Sequence, residues 1–120
     1  MEKYIGENEK LIDFFSYKYT LLDGKLKRID IHYEGYELVI DLYIEILRVK
    51  TDKDIKLTFR GVQKYYFNGT RNSVYDIERY KFFPTDNGYY ISLDPFLENE
   101  IVAPEDNDII LSKTIEGSFI

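Results

Sequence analysis

The stretch Tyr36-Glu37-Leu38-Val39-Ile40-Asp41-Leu42-Tyr43-Ile44-Glu45-Ile46-Leu47-Arg48-Val49 decides the fold class. Tyr36, Leu38, Ile40, Leu42, Ile44 and Ile46 are apolar in unbroken alternation. Side chains two apart share one face of a strand but scatter around a helix, so this run reads as a strand with a buried face. Its other face reads Glu37, Val39, Asp41, Tyr43, Glu45 and Leu47, and turns apolar only at the end. The sheet is expected to become two-sided there.

Working back toward the N-terminus, Glu34-Gly35 reads as a tight hairpin connection. It joins the strand to Leu26–Tyr33, where Ile29, Ile31 and Tyr33 oppose Arg28, Asp30 and His32. Asp23-Gly24 is a turn. From Ser16, Tyr17, Tyr19 and Leu21 alternate with Lys18 and Thr20, which predicts another strand. Residues Asn8 to Phe15 read as a short helix. Leu11, Ile12 and Phe15 share a face, Asn8 is placed as the N-cap, and Glu9 and Asp13 favour the N-terminal part.

Working forward, Thr51-Asp52-Lys53-Asp54 is a polar turn. Ile55, Leu57 and Phe59 then alternate with Lys56, Thr58 and Arg60, and Gly61 marks a bulge before Val62–Phe67 continues extended. Asn68–Ser73 is loop. Val74–Phe83 fits either a strand or a helix. Strand is favoured by its Tyr, Val, Ile and Phe content, with Pro84 ending the run. Asp86-Asn87-Gly88 is a hairpin loop, after which Tyr89, Ile91 and Leu93 alternate with Tyr90 and Ser92 up to Asp94-Pro95. Residues 95–108 are irregular and acidic, and Ile109–Ile115 is the last strand. The sum is a mainly β chain: one domain over residues 1–120, an antiparallel sandwich or strongly curled sheet of about seven strands, with one short N-terminal helix.

Composition bounds the chemistry. The 120 residues include 12 Tyr and 8 Phe, no Trp and no Cys. Disulfides, Cys-ligated metals and thiol nucleophiles are therefore excluded. His32 is the one histidine, so no site can use two from one chain. With 16 basic and 22 acidic residues the net charge is -6. That opposes a nucleic-acid binder, which needs a cationic face. No apolar run reaches the length of a membrane span. The charged start, Met1 to Glu9, does not read as a signal peptide. The default expectation is a cytoplasmic protein of bacterial type.

His32 lies beside Asp30 at strand spacing, and an imidazole with a carboxylate could do acid–base work. A solvated strand face of alternating charges is the plainer reading, because no nucleophile elbow or phosphate loop completes a site. Glu37, Asp41 and Glu45 are spaced too widely for a catalytic carboxylate pair and suit an outer sheet face pairing with Lys56 and Arg60. Asp94, Glu98, Glu100, Glu105, Asp106 and Asp108 form an acidic stretch without Lys or Arg. Its spacing lacks the pattern of a calcium loop, so no metal or cofactor is expected. The acidity is concentrated late in the chain: residues 1–60 hold 11 basic and 12 acidic side chains, residues 61–120 hold 5 and 10. Such a surface would speed encounter with a cationic partner. Tyr89 and Tyr90, neighbours on opposite strand faces, would supply anchors. The candidate docking set is thus Tyr89, Tyr90, Asp94, Glu98, Glu100, Glu105, Asp106 and Asp108.

Asp23-Gly24-Lys25-Leu26, Leu57-Thr58-Phe59-Arg60-Gly61-Val62, Tyr90-Ile91-Ser92-Leu93-Asp94-Pro95 and Glu105-Asp106-Asn107-Asp108 together resemble small bacterial domains of the immunity-protein-like families linked to polymorphic toxin systems. The resemblance covers about residues 14–116 and rests on turn and strand signatures. It implies a cytoplasmic β-rich protein that binds and neutralises a cognate toxin, and it supplies no catalytic residues. The leading expectation is therefore a non-enzymatic protein-binding domain acting by occlusion. The alternatives are a small-molecule-binding β-barrel-like domain and a structural or oligomerising domain. An enzyme built on His32 and Asp30 comes after these. A homodimer through a strand edge is compatible with each; nucleic acid and membrane are not expected partners.

Overall fold

The structure is a computed structural model and describes residues 3–47, 54–68 and 75–120. The expected ends of the central strand at Arg48–Val49, the turn at 51–53, most of the 68–73 loop and Val74 lie outside the described residues. Among those described, eight strands form one antiparallel sheet: β1 (Lys3–Glu7), β2 (Lys25–Glu34), β3 (Glu37–Glu45), β4 (Asp54–Tyr66), β5 (Tyr75–Asp76), β6 (Lys81–Thr85), β7 (Gly88–Asp94) and β8 (Asn107–Phe119). The spatial order is β5-β2-β3-β4-β8-β7-β6, with β1 added to β8. The sheet is open, so the fold is not a closed barrel.

β8 is the hub. β4 pairs along its length on one side, while on the other β7 takes its first half and β1 its last residues. The molecule measures 35 × 33 × 30 Å, nearly equal in its three dimensions, as one sheet curled around its own core gives and a flat sheet does not. Inside the curl lie Ile40, Leu42 and Ile44 of β3, Ile55, Leu57 and Phe59 of β4, and Ile110 and Ile115 of β8. Ile40, Leu42, Ile44 and Ile46 of the alternating run thus face inward, whereas Tyr36 at its start is exposed in the hairpin turn.

Leu11, Ile12 and Phe15 close the mouth of the curl from helix α1 (Glu9–Asp13) and the π-helical turn Phe14–Lys18 that continues it. Helical structure thus runs on to Lys18, and the strand expected from Ser16 does not form. The apolar demand of Phe14 and Phe15 wins over the local alternation: Phe14 stacks on Tyr19 at 4.5 Å and meets Phe15 edge-on at 5.1 Å. Asn8 does not act as a side-chain cap. Its backbone has φ 54°, and its Oδ1 accepts the Ile115 N–H at 3.1 Å, tying the helix start to β8.

Three further expectations shift, and the bulge expected at Gly61 is found. The β2–β3 hairpin turns on Gly35-Tyr36, one residue later, with Gly35 at φ 64°. A positive φ at the first loop position is what this tight hairpin needs, and glycine supplies it without strain. Of the expected 74–83 run, the described residues 75–83 hold β5, an irregular link and the start of β6, which continues through Pro84. Proline is tolerated there because β6 is an edge strand. Burial on the outer face of β3 comes at Val39, fully enclosed, whereas Leu47 is exposed. Gly61 has φ 64°, and the register slips just beyond it, between Val62 and Lys64, as a bulge requires.

Candidate protein-docking site

The connection between β7 and β8, residues 95–106, is longer than a hairpin loop usually is. It is nonetheless held firmly, because three charged side chains fasten its backbone. Asp106 is the centre. Its Oδ1 accepts the Phe96 N–H at 2.9 Å, and its Oδ2 accepts the Ala103 N–H at 3.0 Å and the Tyr90 hydroxyl at 2.7 Å. Lys81 of β6 donates to the same carboxylate at 2.8 Å and also to the Ile101 carbonyl. Arg79 donates to the Pro95 carbonyl at 2.7 Å. Asp106 and Lys81 are both buried. Burial alone would raise the Asp106 pKa, but the hydrogen bonds from Lys81, Tyr90 and the two backbone N–H groups outweigh it and hold the carboxyl below its usual range. Burial first, and the bond to Asp106 second, push the Tyr90 phenol well up.

With the backbone fixed, the loop's large side chains face water. Phe96 is 53% exposed, Leu97 54%, Ile101 63% and Val102 50%. Four large apolar groups within seven residues form a patch of the kind that marks a binding surface. Glu98, Glu100 and Glu105 are exposed among them. From Phe82 to Ser112 the chain carries seven carboxylates and no Lys, Arg or His.

The structure divides the expected docking set. Glu98, Glu100 and Glu105 are exposed on the loop, and Asp94 is half-buried at its base. Tyr90, Asp106 and Asp108 are buried and do not lie on the exposed rim with them, although Tyr90 still lines a groove beside the loop. Tyr90 and Asp106 are bonded to each other, and Asp108 accepts the Asn68 N–H at 2.9 Å while its backbone takes φ 52°. Tyr89 is half-buried on the other face, where its hydroxyl donates to Glu9. That bond, with desolvation second, raises its pKa to about 12. The apolar anchors of the loop were not singled out from sequence, and neither was Lys81. The signal for Lys81 was available: it is the one cation within Tyr80-Lys81-Phe82-Phe83, immediately before the stretch of acids.

The outer sheet face carries the other candidate. His32 Nε2 lies 3.2 Å from Glu34 and its Nδ1 3.9 Å from Asp41, while Asp30 is held by Arg28 at 2.7 Å. The imidazole therefore faces Glu34 and Asp41 rather than the expected Asp30. Glu34 also takes Arg60, and its carboxyl is held below the ordinary range by the His32 hydrogen bond first and Arg60 second. Arg60 bonds Glu34 and Glu116, and Asp41 accepts the Thr58 hydroxyl at 2.6 Å. This is a partly solvated ladder of charges on an open face. Among the described residues no group of three or more His, Asp or Glu side chains is arranged to hold a metal ion, and no helix is long and apolar enough to cross a membrane. Comparison with protein-family models, curated proteins and solved structures finds no match to this chain.

Proposed function

We propose that the chain is a non-enzymatic protein-binding domain that occludes a cationic partner, and that its docking face is the β7–β8 connection. The observation carrying this reading is a loop whose backbone is bolted to the sheet by Arg79, Lys81 and Asp106 while Phe96, Leu97, Ile101 and Val102 point outward. A fixed loop loses little conformational entropy on binding, so its apolar area is available to a partner at low ordering cost. Exposed Glu98, Glu100 and Glu105 supply the steering charge. Self-association through this face is opposed by bringing two such acidic rims together. The partner class is that implied by the immunity-protein-like resemblance: a toxin domain with a basic working surface.

The test is binding of the protein encoded by the adjacent reading frame, measured by surface-immobilised kinetics. Glu98→Lys, Glu100→Lys and Glu105→Lys combined should slow association about tenfold or more at low salt and flatten its salt dependence. Phe96→Ser with Leu97→Ser should instead speed dissociation. An association rate untouched by the charge reversals would refute the reading.

A further inference from the structure

Next to the exposed loop lies a groove of about 350 Å3. Val102 to Pro104 form its near wall, Tyr90, Ile109 and Leu111 its floor, and Lys64 stands on the far wall. The floor is preformed. Tyr90 and Ile109 are buried and pack with Phe83 and Leu111 in a cluster separate from the main core, and the Phe83 and Tyr90 rings are 5.4 Å apart. Tyr90 cannot swing to fill the space, because its hydroxyl is bonded to Asp106. The near wall is set by the same carboxylate, through the Ala103 N–H. Val102 belongs both to the groove and to the exposed patch, so the two surfaces are continuous.

The charges around the groove are lopsided. Glu105 adjoins the near wall in sequence, with Glu98 and Glu100 further along the loop, whereas Lys64 is exposed on the far wall. A cation approaching from the Lys64 side is repelled, and one approaching over the loop is attracted. We infer that this groove is the anchor pocket for a segment of a partner protein that inserts one aromatic or leucine-sized side chain between Val102 and Leu111 and lays a flanking run of Lys or Arg over Glu98, Glu100 and Glu105. Interfaces concentrate their affinity in such an anchor seated in a desolvated pocket, with charged pairs at the rim. The inference rests on the docking reading above and adds to it where the anchor enters, what it is made of and which way its basic flank runs.

The probe is a synthetic end-capped peptide with one phenylalanine followed by three lysines, titrated into the 15N-labelled protein. The expected result is amide shift changes at Val102, Ala103, Ile109 and Leu111, together with Glu98 to Glu105. Replacing the phenylalanine by alanine should weaken binding about tenfold or more, since the buried ring is the main apolar contribution. Val102→Asp should remove the groove shifts. Shifts that map elsewhere, an alanine peptide that binds equally well, or no perturbation at millimolar peptide would each overturn the inference. A second arm separates it from the docking reading. If the loop charge reversals slow association with the adjacent-frame protein but Val102→Asp leaves its affinity unchanged, the groove inference falls and the docking face stands. If the charge reversals change nothing, the docking reading falls, and only the peptide titration then bears on the groove.

Discussion

At Asp106 four donors meet one carboxylate out of reach of water. Breaking a buried ion pair from one side leaves the other charge stranded, which costs about 3–5 kcal/mol. We expect Asp106→Asn to destabilise the chain by that order, read as a lower midpoint in urea unfolding at neutral pH. The pH dependence follows from the direction of the shift. The folded carboxyl titrates below its unfolded value of about 3.9. Its contribution is therefore fully present above that value and is lost as the pH falls through the lower folded one. The natural chain should lose stability more steeply than Asp106→Asn below about pH 4. Parallel slopes in urea melts between neutral and acid pH would show that Asp106 is not held ionised. The role of Asp106 was not legible in the sequence, where it is one acid among six. What distinguishes it is the convergence of Lys81 and two distant N–H groups, and only the fold brings those together.

Among the elements, legibility followed the strength of the local pattern. β7 carries clean alternation and formed where expected, and β3 formed over Glu37–Glu45, the middle of the longer run expected from Tyr36 to Val49. β1 was missed because Lys3-Tyr4-Ile5-Gly6-Glu7 has almost no apolar pattern of its own. It is a strand because the end of β8 offers it a partner. The π-helical turn was missed for the opposite reason, a false alternation overridden by packing against the core. The β7–β8 contact offers an element-scale test. A Cβ on Gly88 would lie 2.3 Å from the backbone oxygen of Ser112, and φ there is 141°. Neither atom can move without parting the strands. Gly88→Ala should therefore cost about 2 kcal/mol or more, checked by thermal unfolding, with faster amide hydrogen exchange concentrated at Tyr89–Ser92. An unchanged melting temperature would mean the strands are not so closely apposed.

For the whole molecule, the question is whether steering comes from the net charge or from where it is placed. Converting Glu98, Glu100 and Glu105 to Lys takes the net charge from -6 to zero. So does converting Glu7, Asp13 and Glu37, which are exposed on other surfaces. If the loop is the docking face, the first triple should slow association with a basic partner several-fold more than the second, and the gap should close near physiological salt or above, where the screening length is about 8 Å. Equal slowing by both would assign the effect to the overall field. The sequence made the acidic excess of the later half plain, but exposure decides its use. Two of the six acids are folded inward as fastenings, and three remain as a rim around apolar groups that composition alone did not flag.

The position of β8 also bears on how the chain is made. Residues 107–119 are flanked by β4 on one side and by β7 and β1 on the other, so β4, already paired with β3, and β7, already paired with β6, each keep one open edge, and β1 lacks the partner it has here, until this segment has emerged from the ribosome. Synthesis at about 5–20 residues per second leaves the earlier strands waiting with exposed edges for seconds. Charged side chains spaced along β4, Lys56, Arg60 and Lys64, are the kind of device that keeps such an open edge from pairing with another nascent chain in that interval.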